Sequence, residues 1–225
     1  MSKILEFQNV LYHYQDGKSQ NIILKEASYS FETGKIYAIE GSSGSGKTTT
    51  IILAGGLDKP KDGKVLFKDQ DLQSIGLSKF RQRDVSIVFQ SYNLIYYMNA
   101  LDNVMNAIDI AKIKVNNKKE YCLSILKKLG LSDDECTRDI RKLSGGQQQR
   151  VAIARAIAKD VDLILADEPT GNLDEKNSLD IIHYFIDMAH KDKKCVILVT
   201  HSKELADMCD IKLQIKEGKL MEASF

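Results

Sequence analysis

The sequence is poor in several features that would mark particular classes of protein. Among 225 residues it has two prolines, no tryptophan and four cysteines, and Lys plus Arg number 32 against 31 Asp plus Glu. Two prolines exclude a proline-rich linker. No pair of cysteines has C-x-x-C spacing, which argues against a zinc site and gives no disulfide framework. The net charge of +1 provides no overall attraction to nucleic acid, so we expect none as a partner.

Long apolar runs are missing as well. No run approaches the roughly 20 residues that span a bilayer, and residues 1–10 lack the apolar core of a signal peptide. We therefore expect a cytoplasmic protein that could reach the inner face of a membrane only by docking on a membrane partner. The length and the 43% hydrophobic content suit one domain over 1–225 with a substantial core.

Short apolar runs make up much of what is present. Leu5–Val10, Ile22–Phe31 and Lys64–Phe67 are strand candidates bounded by turn signals such as Thr33-Gly34. Four later runs are continuously apolar, as in strands of a parallel sheet that are buried on both faces. They are Lys35–Glu40 before Gly41, Val85–Phe89 before Gln90, Leu163–Ala166 before Asp167, and Cys195–Thr200 before His201. Because ligands bind at the carboxyl edge of such sheets, we expect the residues after these runs to share one site.

The middle of the chain has a different pattern. Apolar residues recur at helical spacing in Tyr121–Leu129, and Gly130 fits a helix C-terminus. We predict an α-helical region, approximately 91–150, inserted into the α/β core.

A glycine-rich segment follows the first of the four apolar runs. Gly41-Ser42-Ser43-Gly44-Ser45-Gly46-Lys47-Thr48 fits G-x-x-x-x-G-K-[ST], in which backbone N–H groups cradle phosphate oxygens. A helix predicted over Lys47–Leu57 would direct its positive end at the same phosphates. Lys47 would reach the β- and γ-phosphates of ATP, and the Thr48 hydroxyl would bind Mg²⁺.

Two carboxylates follow the apolar run Leu163–Ala166. Asp167 suits a ligand that holds Mg²⁺ through water, and Glu168 could deprotonate the attacking water. An acidic pair after a strand is common by itself, but beside a phosphate-binding loop it predicts phosphoryl transfer. On the same reasoning, His201 could hold the γ-phosphate, and Gln90 could touch both Mg²⁺ and the water.

Leu143-Ser144-Gly145-Gly146-Gln147 is the most discriminating motif. Ser144 and Gln147 have the spacing of a capping box before an apolar-periodic helix. Gly145 and Gly146 cost helix stability but expose backbone N–H groups, which makes a second anion site. Since one chain already has a phosphate loop, we predict a head-to-tail dimer in which this segment covers the nucleotide of the partner.

Together these motifs resemble the nucleotide-binding subunit of ATP-binding-cassette (ABC) transporters, across essentially the whole chain. The resemblance implies a P-loop NTPase core with a mainly parallel sheet, an N-terminal antiparallel β subdomain and an inserted helical subdomain. It also implies an ATPase whose homodimer encloses two Mg²⁺-ATP and moves separate transmembrane permease subunits. It places Asp174 in a loop that communicates across the dimer, Thr49 beside the phosphates, and Tyr14, or alternatively Tyr12, against adenine.

Finer features narrow the resemblance. Gly55-Gly56-Leu57-Asp58, Gln90–Leu94 and Glu168–Asp174 are similar to the lipoprotein-release, macrolide-export and antimicrobial-peptide-resistance group. Ile95–Asn99 departs from that group, which would have a proline there. The resemblance thus implies export of a peptide, lipoprotein or drug; the alternative is an ATPase for a mechanical or signalling membrane complex in cell-wall or division processes. The missing coiled coil disfavours a DNA-repair ATPase, and the single cassette disfavours a ribosome-acting ATPase. A P-loop kinase would not need the Leu143–Gln147 motif.

Overall fold

Two β-sheets and nine α-helices make up the described residues, 2–16 and 19–223, of the computed structural model. The strands are β1 (Lys3–Asp16), β2 (Ser19–Glu32), β3 (Lys35–Glu40), β4 (Asp62–Phe67), β5 (Gln70–Asp71), β6 (Val85–Val88), β7 (Leu163–Asp167), β8 (Cys195–Val199), β9 (Ile211–Lys216) and β10 (Lys219–Glu222). The helices are α1 (Lys47–Ala54), α2 (Leu72–Ile75), α3 (Leu77–Arg83), α4 (Ala100–Ala111), α5 (Lys118–Lys128), α6 (Asp133–Thr137), α7 (Gly145–Ile157), α8 (Glu175–His190) and α9 (Lys203–Asp207).

The larger sheet has six strands in the order β10-β9-β3-β8-β7-β6. Pairing is parallel from β9 to β6, and β10 joins β9 as an antiparallel edge. Every residue of β7 and β8 is buried. This confirms the predicted α/β fold with a mainly parallel sheet, and it places the four carboxyl ends at one edge.

The two faces of this sheet pack against two different hydrophobic cores, and this is why its strands are continuously apolar in sequence. Ile36 and Ala38 of β3 pack with the helices of the middle region. Tyr37 and Ile39, which alternate with them, pack with α1 and the N-terminal strands. Successive side chains of a strand point to opposite faces, so a strand between two cores must be apolar throughout.

The smaller sheet is antiparallel, as predicted, with the order β2-β1-β4-β5. Strand β1 extends well beyond the predicted run Leu5–Val10, because it pairs with β2 over its whole length and with β4 on its other side. Register shifts interrupt both ladders. These bulges break the period-two pattern, so the outer parts of the strand carry no clear sequence signal.

Two helix ends depend on glycine. Helix α5 ends before Gly130, which has φ 82°, in agreement with the sequence. Helix α1 stops at Ala54, three residues before the predicted Leu57. Gly56 has φ 62°, and the N–H of Leu57 donates to the carbonyl of Ile52 at 2.9 Å. This is the hydrogen bond of a Schellman ending, which the left-handed glycine permits.

Helices α4 to α7 lie between β6 and β7 and share one apolar core. Helix α7 continues to Ile157, beyond the predicted limit of the helical insertion. The division into a core and a subdomain at 91–150 stays a prediction. Among the described residues no helix is long and apolar enough to cross a membrane.

Candidate nucleotide-binding site

The turn between β3 and α1 is shaped by glycines in the left-handed region. Gly41, Gly44 and Gly46 have φ of 151°, 79° and 105°. A Cβ on Gly46 would lie 2.8 Å from Cγ2 of Ile23, so a side chain there would meet β2. No side chain among the described residues caps the N-terminus of α1, which leaves its first N–H groups available to an anion.

Two polar groups of this turn are buried in ways that suit a phosphate. Lys47 is 5% exposed, and its Nζ donates to the carbonyls of Gly41 at 2.8 Å and Ser42 at 2.9 Å. The Ser45 Oγ is buried and has no hydrogen-bond partner among the described residues. An ammonium and an unpaired hydroxyl inside an arc of backbone N–H groups match the oxygens of a phosphate chain.

Asp167 ends β7 and lines a cavity together with Thr48 of α1. Burial raises the pKa of its carboxyl, while contact with the Thr48 hydroxyl and the charges of Lys47 and His201 act in the opposite direction. A buried carboxylate beside a hydroxyl supplies the hard oxygen ligands that Mg²⁺ prefers. The described residues contain no cluster of three or more His, Cys, Asp or Glu side chains, so any metal here would need other oxygen ligands as well.

Glu168 and His201 form a close pair. The Glu168 Oε1 lies 2.8 Å from the His201 Nε2, with the carboxylate largely buried and the imidazole half exposed. Glu168 has φ 47°, and its N–H donates to the carbonyl of Val199 at 3.0 Å. A left-handed glutamate is uncommon and is held by its surroundings, here the neighbouring strand β8.

A cavity of about 340 Å³ brings most of these groups together. It is lined by Tyr14, Ile23, Ser43, Gly44, Gly46, Lys47, Thr48, Thr49, Gln90, Glu168 and His201. A neighbouring cavity joins Gln90 to Thr48 and Asp167. The structure thus gathers at one sheet edge the residues that follow four separate strands. Ile23 is an addition, since an isoleucine in a strand gives no sequence signal for a site.

The structure distinguishes the two tyrosine alternatives. Tyr12 is 3% exposed and its hydroxyl donates to Asp58 Oδ2 at 2.6 Å, so its ring cannot stack on a base. Tyr14 is 44% exposed and lines the cavity, with its hydroxyl 3.4 Å from Thr49 Oγ1. The two rings meet edge to face at 5.2 Å, and this contact orients Tyr14.

The predicted capping box at α7 is present. The Ser144 Oγ accepts from the N–H of Gln147, and the Gln147 Oε1 accepts from the N–H of Ser144 at 2.8 Å. The Gln147 Nε2 also donates to Glu135 Oε1 at 2.5 Å. The amide of Gln147 is therefore occupied in fixing the helix end. Glu135 went unnoticed in the sequence, where Ser132-x-x-Glu135 shows only its own capping box.

Two further residues of the predicted site help to hold helices in place. Leu143 is buried in the helical core, so its side chain anchors the start of α7 and cannot reach a nucleotide. The carboxylate of Asp174 caps α8 by accepting from the backbone N–H of Asn177 at 2.9 Å. Ser144 and Gly145 are exposed, and neither is among the residues that line the cavity at Lys47.

Comparison with known proteins gives consistent results. The sequence model of the ABC transporter family matches residues 24–171. The chain is 49% identical to the ABC transporter ATP-binding protein YclH of Bacillus subtilis, over 96% of this chain and 94% of YclH. It is 35% identical to the macrolide export ATP-binding/permease protein MacB of Hyphomonas neptunium, over 98% of this chain but 34% of MacB.

Solved structures agree. The dimeric structure of MJ0796, a bacterial ABC transporter cassette, has a TM-score of 0.92 at 33% identity, with 98% of each chain covered. A second dimeric structure of MJ0796, in a post-hydrolysis state with ADP and Pi, has the same TM-score at 32% identity and the same coverage. With its phosphate-binding turn, its carboxylate pair and its glycine-led helix on this fold, the chain belongs to the ATP-binding subunits of ABC transporters.

Proposed function

We propose that this chain binds Mg²⁺-ATP around Lys47, hydrolyses the ATP, and couples nucleotide-driven dimerisation to movement of a separate transmembrane permease. The contact between Glu168 and His201, at the mouth of the cavity that holds Lys47 and Thr48, is the observation that carries this proposal. Similarity to a protein named for macrolide export supports export of a drug, peptide or lipoprotein as the transport reaction.

The residues around the turn would bind and neutralise the phosphates. Lys47 would exchange its two carbonyl contacts for phosphate oxygens, and the Ser45 hydroxyl would gain a partner. Thr48, Asp167 and Gln90 would hold Mg²⁺, which would neutralise charge on the β- and γ-phosphates. Tyr14 would stack on adenine.

Glu168 would act as the general base. Glu168 lines the same cavity as Lys47, and the backbone hydrogen bond to Val199 fixes the position from which it would accept a proton from water. The Nε2 of His201, which lies against this carboxylate in the structure, would donate instead to the γ-phosphate when ATP binds and so leave Glu168 free to accept the proton. The protein would thus supply a base and a cation to the same reacting phosphate.

A head-to-tail dimer would complete each site. Ser144, Gly145 and Gly146 present a helix N-terminus outside the cavity of their own chain, where it could meet the phosphates held by a second copy. The MJ0796 cassette, which has the same fold, is dimeric in both of its structures. Asp174, at the start of α8, would lie at the contact between the copies.

The helical region would receive a cytoplasmic helix of the permease. Tyr96 and Tyr97 are 49% and 85% exposed, so they do not pack inside the helical core. A groove of about 240 Å³ is lined by residues that include the exposed Leu57 and Ile110 together with Arg155. Arg155 also binds the carbonyls of segment 92–93, which links the groove to the segment that carries the tyrosines.

Glu168→Gln tests the proposed chemistry. The amide keeps the shape of the carboxylate but cannot accept a proton, so phosphate release without any phosphoacceptor should fall by about 10²- to 10⁴-fold. ATP binding should be retained, measured by titration with a fluorescent ATP analogue. Glu120→Gln, at an exposed residue in the first turn of α5, is the matched control and should keep its turnover. Near-normal turnover in Glu168→Gln would place the base elsewhere.

A further inference from the structure

Tyr92 lies two residues after Gln90 in an unusual backbone conformation. Tyr92 and the following Asn93 have φ of 58° and 50°. The N–H of Tyr92 donates to the carbonyl of Phe89 at 3.2 Å, so the chain turns back immediately after β6. Two consecutive left-handed residues without glycine are costly and persist only where the surroundings hold them.

Arg155 of α7 provides that hold. Its guanidinium donates to the carbonyl of Tyr92 at 2.8 Å and also to the carbonyl of Asn93. Burial lowers the pKa of this guanidinium, yet no carboxylate among the described residues forms an ion pair with it. The partly buried guanidinium therefore has backbone carbonyls as its partners. These two hydrogen bonds attach segment 91–93 to α7, the helix that begins at Gly145.

The phenol of Tyr92 contacts two further parts of the site. Its hydroxyl lies 3.2 Å from the position that a Cβ on Gly145 would occupy, against the first residue of α7. The side chain of Asn172, in the loop between Glu168 and Asp174, lies near enough to this hydroxyl to oppose the rise that burial causes in the pKa of the phenol. The ring packs against the helical core. One side chain therefore meets the segment after Gln90, the start of α7 and the loop before α8.

The loop before α8 is in turn attached to α7. A Cβ on Gly146 would lie 3.1 Å from Cδ2 of Leu173, and the Arg150 guanidinium contacts the Asn177 side chain, which also bonds to Asp174. The start of α7 and the loop before α8 are consequently held as one unit. Tyr92 is the residue that joins this unit to the segment leading from the nucleotide cavity.

We propose that Tyr92 is a positioning residue that couples the two nucleotide sites of the dimer. The inference rests on the head-to-tail dimer proposed above. Gln90 lines the cavity of its own chain, so a change at Gln90 when Mg²⁺-ATP binds would be passed through residues 91–93 to Tyr92 and Arg155. They would set the start of α7 and the loop at Asn172 in the orientation that the partner's nucleotide requires. Filling one site would thereby favour closure of the other.

The test uses the full chain carrying Glu168→Gln, with dimerisation in saturating Mg²⁺-ATP measured by analytical ultracentrifugation. Adding Tyr92→Phe removes the hydroxyl and keeps the ring. Dimerisation should weaken by roughly 10- to 30-fold, because two copies of a hydrogen-bond-sized contact are lost per dimer. The affinity of the monomer for ATP should not change. Tyr121→Phe is the matched control, since its hydroxyl donates to the carbonyl of Ala158 in the same helical region but away from Gly145.

A double-mutant cycle with Asn172→Ala separates a direct link from general loosening. If Tyr92 acts through Asn172, the two substitutions together should weaken dimerisation less than the sum of their separate effects. In the hydrolysing background, Tyr92→Phe should also lower the Hill coefficient for ATP toward one while Tyr121→Phe leaves it unchanged.

The outcomes distinguish this inference from the function on which it depends. A Glu168→Gln parent that stays monomeric in Mg²⁺-ATP overturns the dimer itself, and the inference with it. A parent that dimerises equally well with and without Tyr92→Phe overturns the inference alone. The inference is also overturned if Tyr92→Phe lowers the melting temperature and the monomer affinity for ATP together, since Tyr92 would then serve only to fold the chain.

Discussion

At the scale of single residues, the two carboxylates of the site have different surroundings. Asp167 is 9% exposed, and burial raises the pKa of its carboxyl above the ordinary value. Glu168 instead lies at the cavity surface, in contact with a half-exposed imidazole. Two adjacent carboxylates in one sequence motif therefore have different environments, which agrees with the different roles that we propose for them.

The raised pKa of Asp167 predicts a pH dependence of metal binding. As the pH falls from 7, this carboxyl takes up a proton at a higher pH than an ordinary aspartate, and the neutral form binds Mg²⁺ poorly. The Mg²⁺ concentration for half-maximal ATPase activity should therefore rise on acidification before exposed carboxylates titrate. A requirement for Mg²⁺ that stays constant from pH 7 to about pH 5 would contradict the prediction.

The raised pKa of Asp167 also makes the stability of the nucleotide-free fold depend on pH, and here the ionised form is the unfavourable one. Because its folded-state pKa is raised, the folded chain binds more protons than the unfolded chain in the window between the two pKa values, so this carboxyl destabilises the fold above that window. Asp167→Asn should raise the melting temperature of the nucleotide-free protein at pH 7, and the gain should shrink as the pH falls. Asp180→Asn on the exposed face of α8 is the control and should show neither change.

At the scale of elements, the helical region carries two kinds of aromatic residue within one short segment. Tyr92 packs against the helical core, whereas Tyr96 and Tyr97 are exposed. Exposed aromatic side chains are typical of surfaces that bind another protein. The segment thus turns its first tyrosine inward, toward the site, and its later tyrosines outward.

This arrangement predicts that catalysis and membrane coupling can be separated. Replacing both Tyr96 and Tyr97 by Ser should leave folding and the ATPase activity of the purified subunit unchanged. It should abolish the association with membranes of the source cells and the stimulation of ATPase activity by those membranes. Met221→Ser, at an exposed apolar residue of β10, is the control and should keep both. A loss of thermal stability in the double variant would show that the tyrosines support the fold instead.

At the scale of the whole molecule, the most important feature is that the N-termini of α1 and α7, which we propose both bind phosphate, do not share one cavity. Helix α1 directs its N-terminus into the cavity at Lys47, whereas the start of α7 lies outside the lining of that cavity. Substitution of Gly145 would disturb Tyr92, since a Cβ there would come within 3.2 Å of its hydroxyl. Ser144 is the cleaner position for a test, because it is exposed and aspartate is an equally good N-cap.

Mixing two inactive variants would reveal the head-to-tail arrangement. Lys47→Ala removes the phosphate-binding cation, and Ser144→Asp places a negative charge where the partner's nucleotide should bind. Like-charge contact at a desolvated interface costs several kcal/mol, about enough to prevent closure. In a mixed dimer one composite site has both defects and the other has neither. ATPase activity should therefore return on mixing, measured against each variant alone.

Ser144→Asn is the matched control for the mixing experiment. It keeps the cap and the size of the aspartate without its charge, so it should be active by itself. If no activity returns on mixing although ultracentrifugation shows that mixed dimers form in Mg²⁺-ATP, one intact composite site is not sufficient. If Ser144→Asp alone remains fully active, the start of α7 does not face a phosphate.

Features that depend on local chemistry could be predicted from the amino-acid sequence alone. The strand, turn and helix around 41–48, the capping box at Ser144 and Gln147, and the buried strands at the apolar runs before Gln90, Asp167 and His201 were all predicted correctly. Phosphate cradles, helix caps and doubly buried strands each require particular residue types within a few positions, so they leave direct patterns.

Which side chains face the site depended instead on tertiary packing. Tyr12 and Tyr14 are equivalent in sequence, but the contact with Asp58 buries the first and leaves the second exposed. The contacts of Tyr92 with Gly145 and Asn172 join residues more than fifty positions apart. Such contacts leave no local pattern, because they arise where separately folded segments pack together, and packing depends on the shape of the whole core.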